Sequence, residues 1–152
     1  GTGLFTQTHP WLNKIQSIKY SGIARSIFIK VYMQIIIKLP LFKAKITVLL
    51  GQYNEIAKYV KPDWAFIATE DDTYKGICGF AGFPSTKAYV YHAIIHVVNM
   101  SWSCLAHEAL HATNFILDSI GAHPSFADDE VQAYIMAYII SEVEKHIQKK
   151  QG

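Results

Sequence analysis

Hydrophobic periodicity is mostly that of strands up to about residue 98 and that of helices from Ser101 on, and this division limits what the chain can fold into. From Ile27 the apolar residues Ile27, Ile29, Val31, Met33, Ile35, Ile37 and Leu39 alternate with Lys30, Gln34 and Lys38. A period of two predicts a strand with one buried face. Pro40 interrupts its ladder, residues 46–50 read as a second β segment closed by Gly51, and residues 52–60 as a short helix. Beyond the break at Lys61-Pro62-Asp63, residues 64–69, 77–80 and 88–98 read as short strands, separated by Glu70-Asp71-Asp72 and a glycine-rich stretch over 76–84. At Ser101 the period becomes helical and stays so to residue 120. Leu105, Ala109, Phe115 or Ile116, and Ser119 fall near one stripe, and Gly121 is placed as a stop. A last helix is predicted to begin within 125–128, where Ser125 stands three residues before Asp128 in the manner of a capping pair. Lys145, Lys149 and Lys150 suit its far end. Strands first and helices second predict an α+β domain, a mostly antiparallel sheet followed by two helices.

The chain of 152 residues, 51% of them apolar and 17% charged, is one domain's worth of polypeptide with enough apolar surface to fold around a single core. Residues 1–25 lack sustained periodicity and read as a poorly structured basic arm, extending to residue 32 if Met33 is the start, with 26–152 as the single domain. Charge is split unevenly. Residues 1–54 carry seven basic side chains and no acid, while residues 55–152 hold seven basic residues and all twelve acids, so the halves stand at +7 and −5. Nucleic-acid binding is not expected from the basic part. Its strand lysines alternate with apolar residues and lack the aromatic and arginine interleaving that single-strand binders use. No membrane span is expected either: the uncharged run 88–107 contains His92, His96, Asn99, Ser101 and Ser103. Cys78 and Cys104 make neither a disulfide framework nor a CxxC metal motif, and no secretory signal is legible, so a reducing, cytoplasmic setting is expected.

Chemistry concentrates in His107-Glu108-Ala109-Leu110-His111, an HExxH pattern inside the first helix. Residues four apart on a helix lie one turn above each other, so the two imidazoles converge on one ion. Glu108, about 100° further around, would face the ion's outer shell and take a proton from a water whose pKa zinc lowers to about 7. With seven His and six Glu in the chain, chance order yields HExxH about 0.01 times. Here it follows directly on an apolar β segment, the context a zinc-peptidase site requires. Zinc is therefore the expected cofactor, with His107 and His111 as ligands.

A catalytic zinc usually takes three protein ligands. Asn114 and Leu117 stand where HExxHxxGxxH needs Gly and His, which rules out that class. Asp118, seven residues past His111, lies roughly 10 Å along the axis and is out of reach. Glu130 in the next helix is the favoured third ligand, with Asp128 and Asp129 as neighbouring alternatives. In strictly antiparallel helices Glu130 would sit several ångströms below the histidines, and Glu142 would err in the other direction. Tyr134, or Tyr138 one turn on, is a candidate donor to an oxyanion. His123 lies in the turn at 121–124. His92 and His96, on a strand, would be about 13 Å apart and are expected in the core or on a sheet face. Trp64, Trp102 and residues 79–83 are candidate pocket or core residues.

The run HEALHAT from His107, followed by Ile116-Leu117-Asp118, Gly121, Asp129-Glu130, Ala133-Tyr134 and Tyr138, resembles the gluzincin pattern. More narrowly, it is similar to small bacteriophage-encoded zincin-like proteins, in which a Glu precedes an Ala-Tyr pair on the helix after HExxH. The resemblance covers roughly a quarter of the chain. It implies a small zincin-like domain, His107, His111 and Glu130 as zinc ligands, and Glu108 as general base in a metallopeptidase acting on a peptide or protein. Large gluzincins add a second domain that forms the far wall of the cleft, and this chain has no room for one. The alternative is a catalytically weak or inactive zincin-like phage accessory or binding protein with a structural zinc. The host cytoplasm is the setting that a phage origin implies.

Overall fold

The computed structural model describes residues 32–62, 64, 78–84 and 90–151, with backbone alone for 78–84. Four strands form one sheet: β1 (Met33–Leu39), β2 (Ala44–Leu50), β3 (Cys78–Pro84) and β4 (Tyr91–Val97), in the order β1-β2-β4-β3. Three helices accompany them: the short α1 (Tyr53–Ile56), α2 (Trp102–Ser119) and α3 (Glu130–Gln151). The expected α+β class holds. Both edge pairings, β1 with β2 and β3 with β4, are antiparallel, whereas the central pair β2 and β4 is parallel. The sheet is thus antiparallel in two of its three pairings, as expected, and mixed because its central pairing is parallel. The reason lies in the two strands themselves: β2 and β4 are buried along almost their whole lengths. Strands covered on both faces read as continuous apolar runs, the mark of a parallel pairing.

Pro40 ends β1 as expected, opening a 3-10 turn at Pro40–Phe42 that reverses the chain into β2. Along β1 the period of two is kept: Ile35, Ile37 and Leu39 are buried while Ile36 and Lys38 face outward. The strand expected from residue 27 therefore begins, among the described residues, at Met33. The strand expected at 64–69 lies outside the described residues apart from Trp64, and the arm at 1–25 lies wholly outside them. A capping box between Gln52 and Glu55 starts the helix expected over 52–60, which continues as a 3-10 turn at Ala57–Tyr59.

The sheet separates two apolar layers. One face, carrying Ile35, Ile46, Val48, Ile95 and Val97 among others, packs on Leu105, Ala109, Ala112 and Ile116 of α2 and on Ile135, Ile139, Val143 and Ile147 of α3. The opposite face carries a smaller cluster of Leu49, Ile94, Ile56 and Trp64. Of the uncharged run 88–107, the described part is divided between β4, a turn and the start of α2. No helix among the described residues is long and apolar enough to cross a membrane.

The last helix begins later than the sequence suggests. Ser125 and Asp128 exchange backbone hydrogen bonds, each 3.1 Å, and close a tight turn instead of a helix cap. The first backbone bond of α3 runs from Ala133 N–H to the Asp129 carbonyl at 2.9 Å, so the Ser125 to Asp128 pairing is spent on the turn.

Candidate metal centre

Helix α2 is bounded as its sequence predicts. Ser101 is extended, with φ −144° and ψ 130°, and its hydroxyl accepts from the Cys104 N–H at 3.4 Å. At the other end Ala122 N–H reaches the Leu117 carbonyl at 2.8 Å and Gly121 N–H reaches the Asp118 carbonyl at 3.1 Å. That double closure is the Schellman arrangement, and it needs the left-handed Gly121, φ 77°.

Between these ends the helix has two unlike sides. Leu105, Ala109, Ala112, Ile116 and Leu117 are buried against the sheet, while His107, His111, Asn114 and Asp118 form an exposed stripe. The Nε2 atoms of His107 and His111 lie 3.2 Å apart, their ring centroids 4.9 Å apart and their planes at 70°. Two nitrogens each 2.0–2.1 Å from a tetrahedral ion stand about 3.3–3.4 Å apart. The pair therefore has the separation of two ligands of one zinc, on a face open to solvent.

Glu108 occupies the flank between this stripe and the core and is 6% exposed. A buried carboxylate is tolerated only when it is bonded, and Glu108, like both histidines, is engaged within the chain. Glu130, the first residue of α3, is exposed. Across the helix pair, Gln132 Nε2 donates to Asn114 Oδ1. That contact sets Asn114 and Gln132 opposite each other, with Glu130 two residues earlier on its helix. Among the described residues no three His, Cys, Asp or Glu side chains are gathered in a metal-ligand group. The structure thus brings His107 and His111 together and leaves Glu130 apart from them.

The other candidates are distributed as follows. Asp128 belongs to the tight turn, and Tyr134 and Tyr138 on α3 are 71% and 42% exposed. His123 Nδ1 is 3.4 Å from Asp118 Oδ1, both side chains well exposed, so the turn histidine pairs with the end of the stripe. His92 and His96 lie on the far side of the sheet from α2, buried as expected. Trp64 meets His92 edge-on at 5.8 Å, and Trp102 packs half-buried against the main core.

Two features have no counterpart among the sequence-based expectations. A cavity of about 560 Å³, lined by Asn114, Asp118, His123, Pro124, Phe126 and Gln132, opens one turn beyond His111. Its signal in the sequence is the continuation of the polar stripe past the motif, together with Phe126, which is wholly exposed. The second is Cys104, which is disulfide-bonded.

Comparison with known protein families, with characterised proteins and with solved structures finds no match.

Proposed function

We propose that this chain is a zinc-dependent hydrolase of the zincin kind, a metallopeptidase acting on a peptide or protein. The 3.2 Å between the Nε2 atoms of His107 and His111, on an exposed helix face, carries the reading. His107 and His111 would hold the ion, and Glu130, exposed at the start of α3 and not gathered with the two histidines here, would complete the set by moving toward them. Bound zinc would supply a water ionising near neutral pH, with a pKa of about 7. Glu108, about 80° around α2 from the mean direction of the two histidines, is the residue to accept that water's proton. The cavity one turn beyond His111, with Phe126 among its lining residues, gives a peptide a partly apolar surface to lie against. Tyr134 is the candidate donor to the developing oxyanion.

The burial of Glu108 favours a second reading. If its carboxylate is committed to the fold, the domain is a zincin-like binding or accessory module whose zinc is structural.

The deciding experiment measures zinc content after loading and desalting, for wild type and for Glu130→Ala. About one equivalent is expected for wild type, and an affinity lower by about 10- to 100-fold for the variant. Wild-type protein retaining less than about 0.2 equivalents sinks the metal reading. An unchanged Glu130→Ala removes that residue from the ligand set.

A further inference from the structure

We infer that the cavity at the α2–α3 turn is a pocket for a basic peptide side chain, arginine above all, which Asp118 and Asp129 pair with and Phe126 covers. At about 560 Å³ the cavity has the size of a ligand pocket, and it opens to solvent. The carboxylates of Asp118 and Asp129 are in its lining, and no Lys or Arg is. Among the described residues Asp118 has an ion pair with His123 alone, at 3.4 Å, and Asp129 has none. Asp118, His123 and Asp129 are not gathered into a metal-ligand group, so the lining suits an extended organic cation rather than a compact ion. An anion would meet two like charges. The apolar part of the lining narrows the class further. Phe126 is wholly exposed and offers a ring face. An arginine has an aliphatic stem to lie along Phe126 and Pro124, and a planar head that stacks on a ring and donates to carboxylates. A lysine supplies the stem and the charge but not the plane.

The walls are held before any ligand arrives. Ala122 N–H bonds to the Leu117 carbonyl at 2.8 Å, Ser125 and Asp128 bond to each other, and Ala133 N–H bonds to the Asp129 carbonyl at 2.9 Å. The Gln132 to Asn114 bond ties the wall from α3 to the wall from α2. A guest therefore need not order the turn in order to bind it. The position of the pocket gives it a use. Asn114 and Asp118 follow His111 by about 4.5 and 10 Å along the axis of α2. An extended peptide advances about 3.3 Å per residue. A side chain seated at Asp118 thus belongs to a residue about two to four positions from the bond that a metal at His107 and His111 would cut. The pocket would select substrates carrying a basic residue there. That use rests on the proposed hydrolase, whereas binding of the basic side chain does not.

The probe is a capped pentapeptide with a central arginine among glycines, beside counterparts with citrulline, which keeps the shape without the charge, and with glutamate. Each is titrated into the isotope-labelled full chain, and amide NMR gives affinity and location together. The arginine peptide is expected to shift the signals of Asp118, His123, Phe126 and Asp129. The citrulline peptide should bind about 10-fold more weakly, and the glutamate peptide should not saturate. Asp118→Asn/Asp129→Asn should weaken the arginine peptide about 5-fold, and Phe126→Ala about 3-fold. These side chains are exposed, so an unchanged urea midpoint shows that the variants fold. Equal affinity for arginine and either counterpart, or shifts that map away from the cavity, overturns the pocket. A second arm digests a randomised peptide library with the zinc-loaded chain. Cuts should fall two to four positions from a basic residue, and Asp118→Asn should raise KM for such substrates about 3-fold with kcat kept. Cleavage without that preference overturns the role in selecting substrates. Arginine binding with no cleavage upholds the pocket and rejects the hydrolase reading alone.

Discussion

Two pairs of histidines stand four residues apart in this chain, and they are put to opposite uses. His92 and His96 lie on β4, where four residues span about 13 Å, so each finds its own partner. His92 Nε2 is 2.8 Å from Thr47 Oγ1, and His96 Nε2 donates to the Gly51 carbonyl at 2.8 Å. Both are buried, at 6% and 4% exposure, on the sheet face away from α2. His107 and His111 lie on a helix, where the same spacing closes one turn. Their Nε2 atoms approach to 3.2 Å on the exposed side. Backbone period, rather than residue type or spacing, separates a pair that braces the sheet from a pair suited to hold an ion.

The sharpest way to break this contrast is to remove one histidine from each pair. His111→Ala is expected to weaken zinc binding by more than about 100-fold, because one ligand of a minimal set is lost. Its stability should change by less than about 0.5 kcal/mol, since the side chain is exposed. Competition titration and urea denaturation measure the two quantities, and zinc affinity surviving the substitution would dissolve the comparison. Glu108→Gln sharpens it from the side of chemistry. Zinc content should be kept while hydrolysis of a quenched peptide library falls by about 10²- to 10⁴-fold. Activity that persists would favour the structural-zinc reading. His96→Ala should behave as the mirror image of His111→Ala. It opens a cavity and strands the buried Gly51 carbonyl, costing about 2–3 kcal/mol in urea denaturation. Zinc affinity should not move, because the sheet lies between His96 and α2.

The contrast between the pairs is legible in the amino-acid order itself, because it rests on local period. So are the alternation of β1, the start of the helical period at Ser101 and the stop at Gly121. What the sequence hides is non-local. Residues 46–50 and 94–97 are apolar apart from Thr47 and His96 and do not alternate cleanly, as double burial in a parallel pair requires, yet an isolated apolar run does not say which strand it will lie beside. Ser125 and Asp128 have the spacing of a capping pair, and the same spacing also serves a tight turn. The turn prevails because the two backbones bond reciprocally and the helix starts after Asp129. In the candidate site, His107 and His111 follow from one helix alone. Glu130 depends on how two helices cross, which no spacing within either one encodes.

The smallest expected effect tests whether the site needs more than its own turn of helix. Gly121 closes α2 in the left-handed region, φ 77°, and a Cβ there would meet nothing within 4 Å. Gly121→Ala therefore adds backbone strain without a clash, about 1 kcal/mol by urea denaturation. The two bonds of the Schellman closure reach back only to Leu117 and Asp118, well short of His111. Zinc affinity should then stay within about 2-fold of wild type, since strain confined to the last turn of a helix falls in the part that opens locally. If affinity falls with stability, the helix end and the α2–α3 turn take part in placing the ligands. That outcome would extend the metal centre from the helix turn holding His107 and His111 toward the cavity at Asn114 and Phe126, and with it toward Glu130.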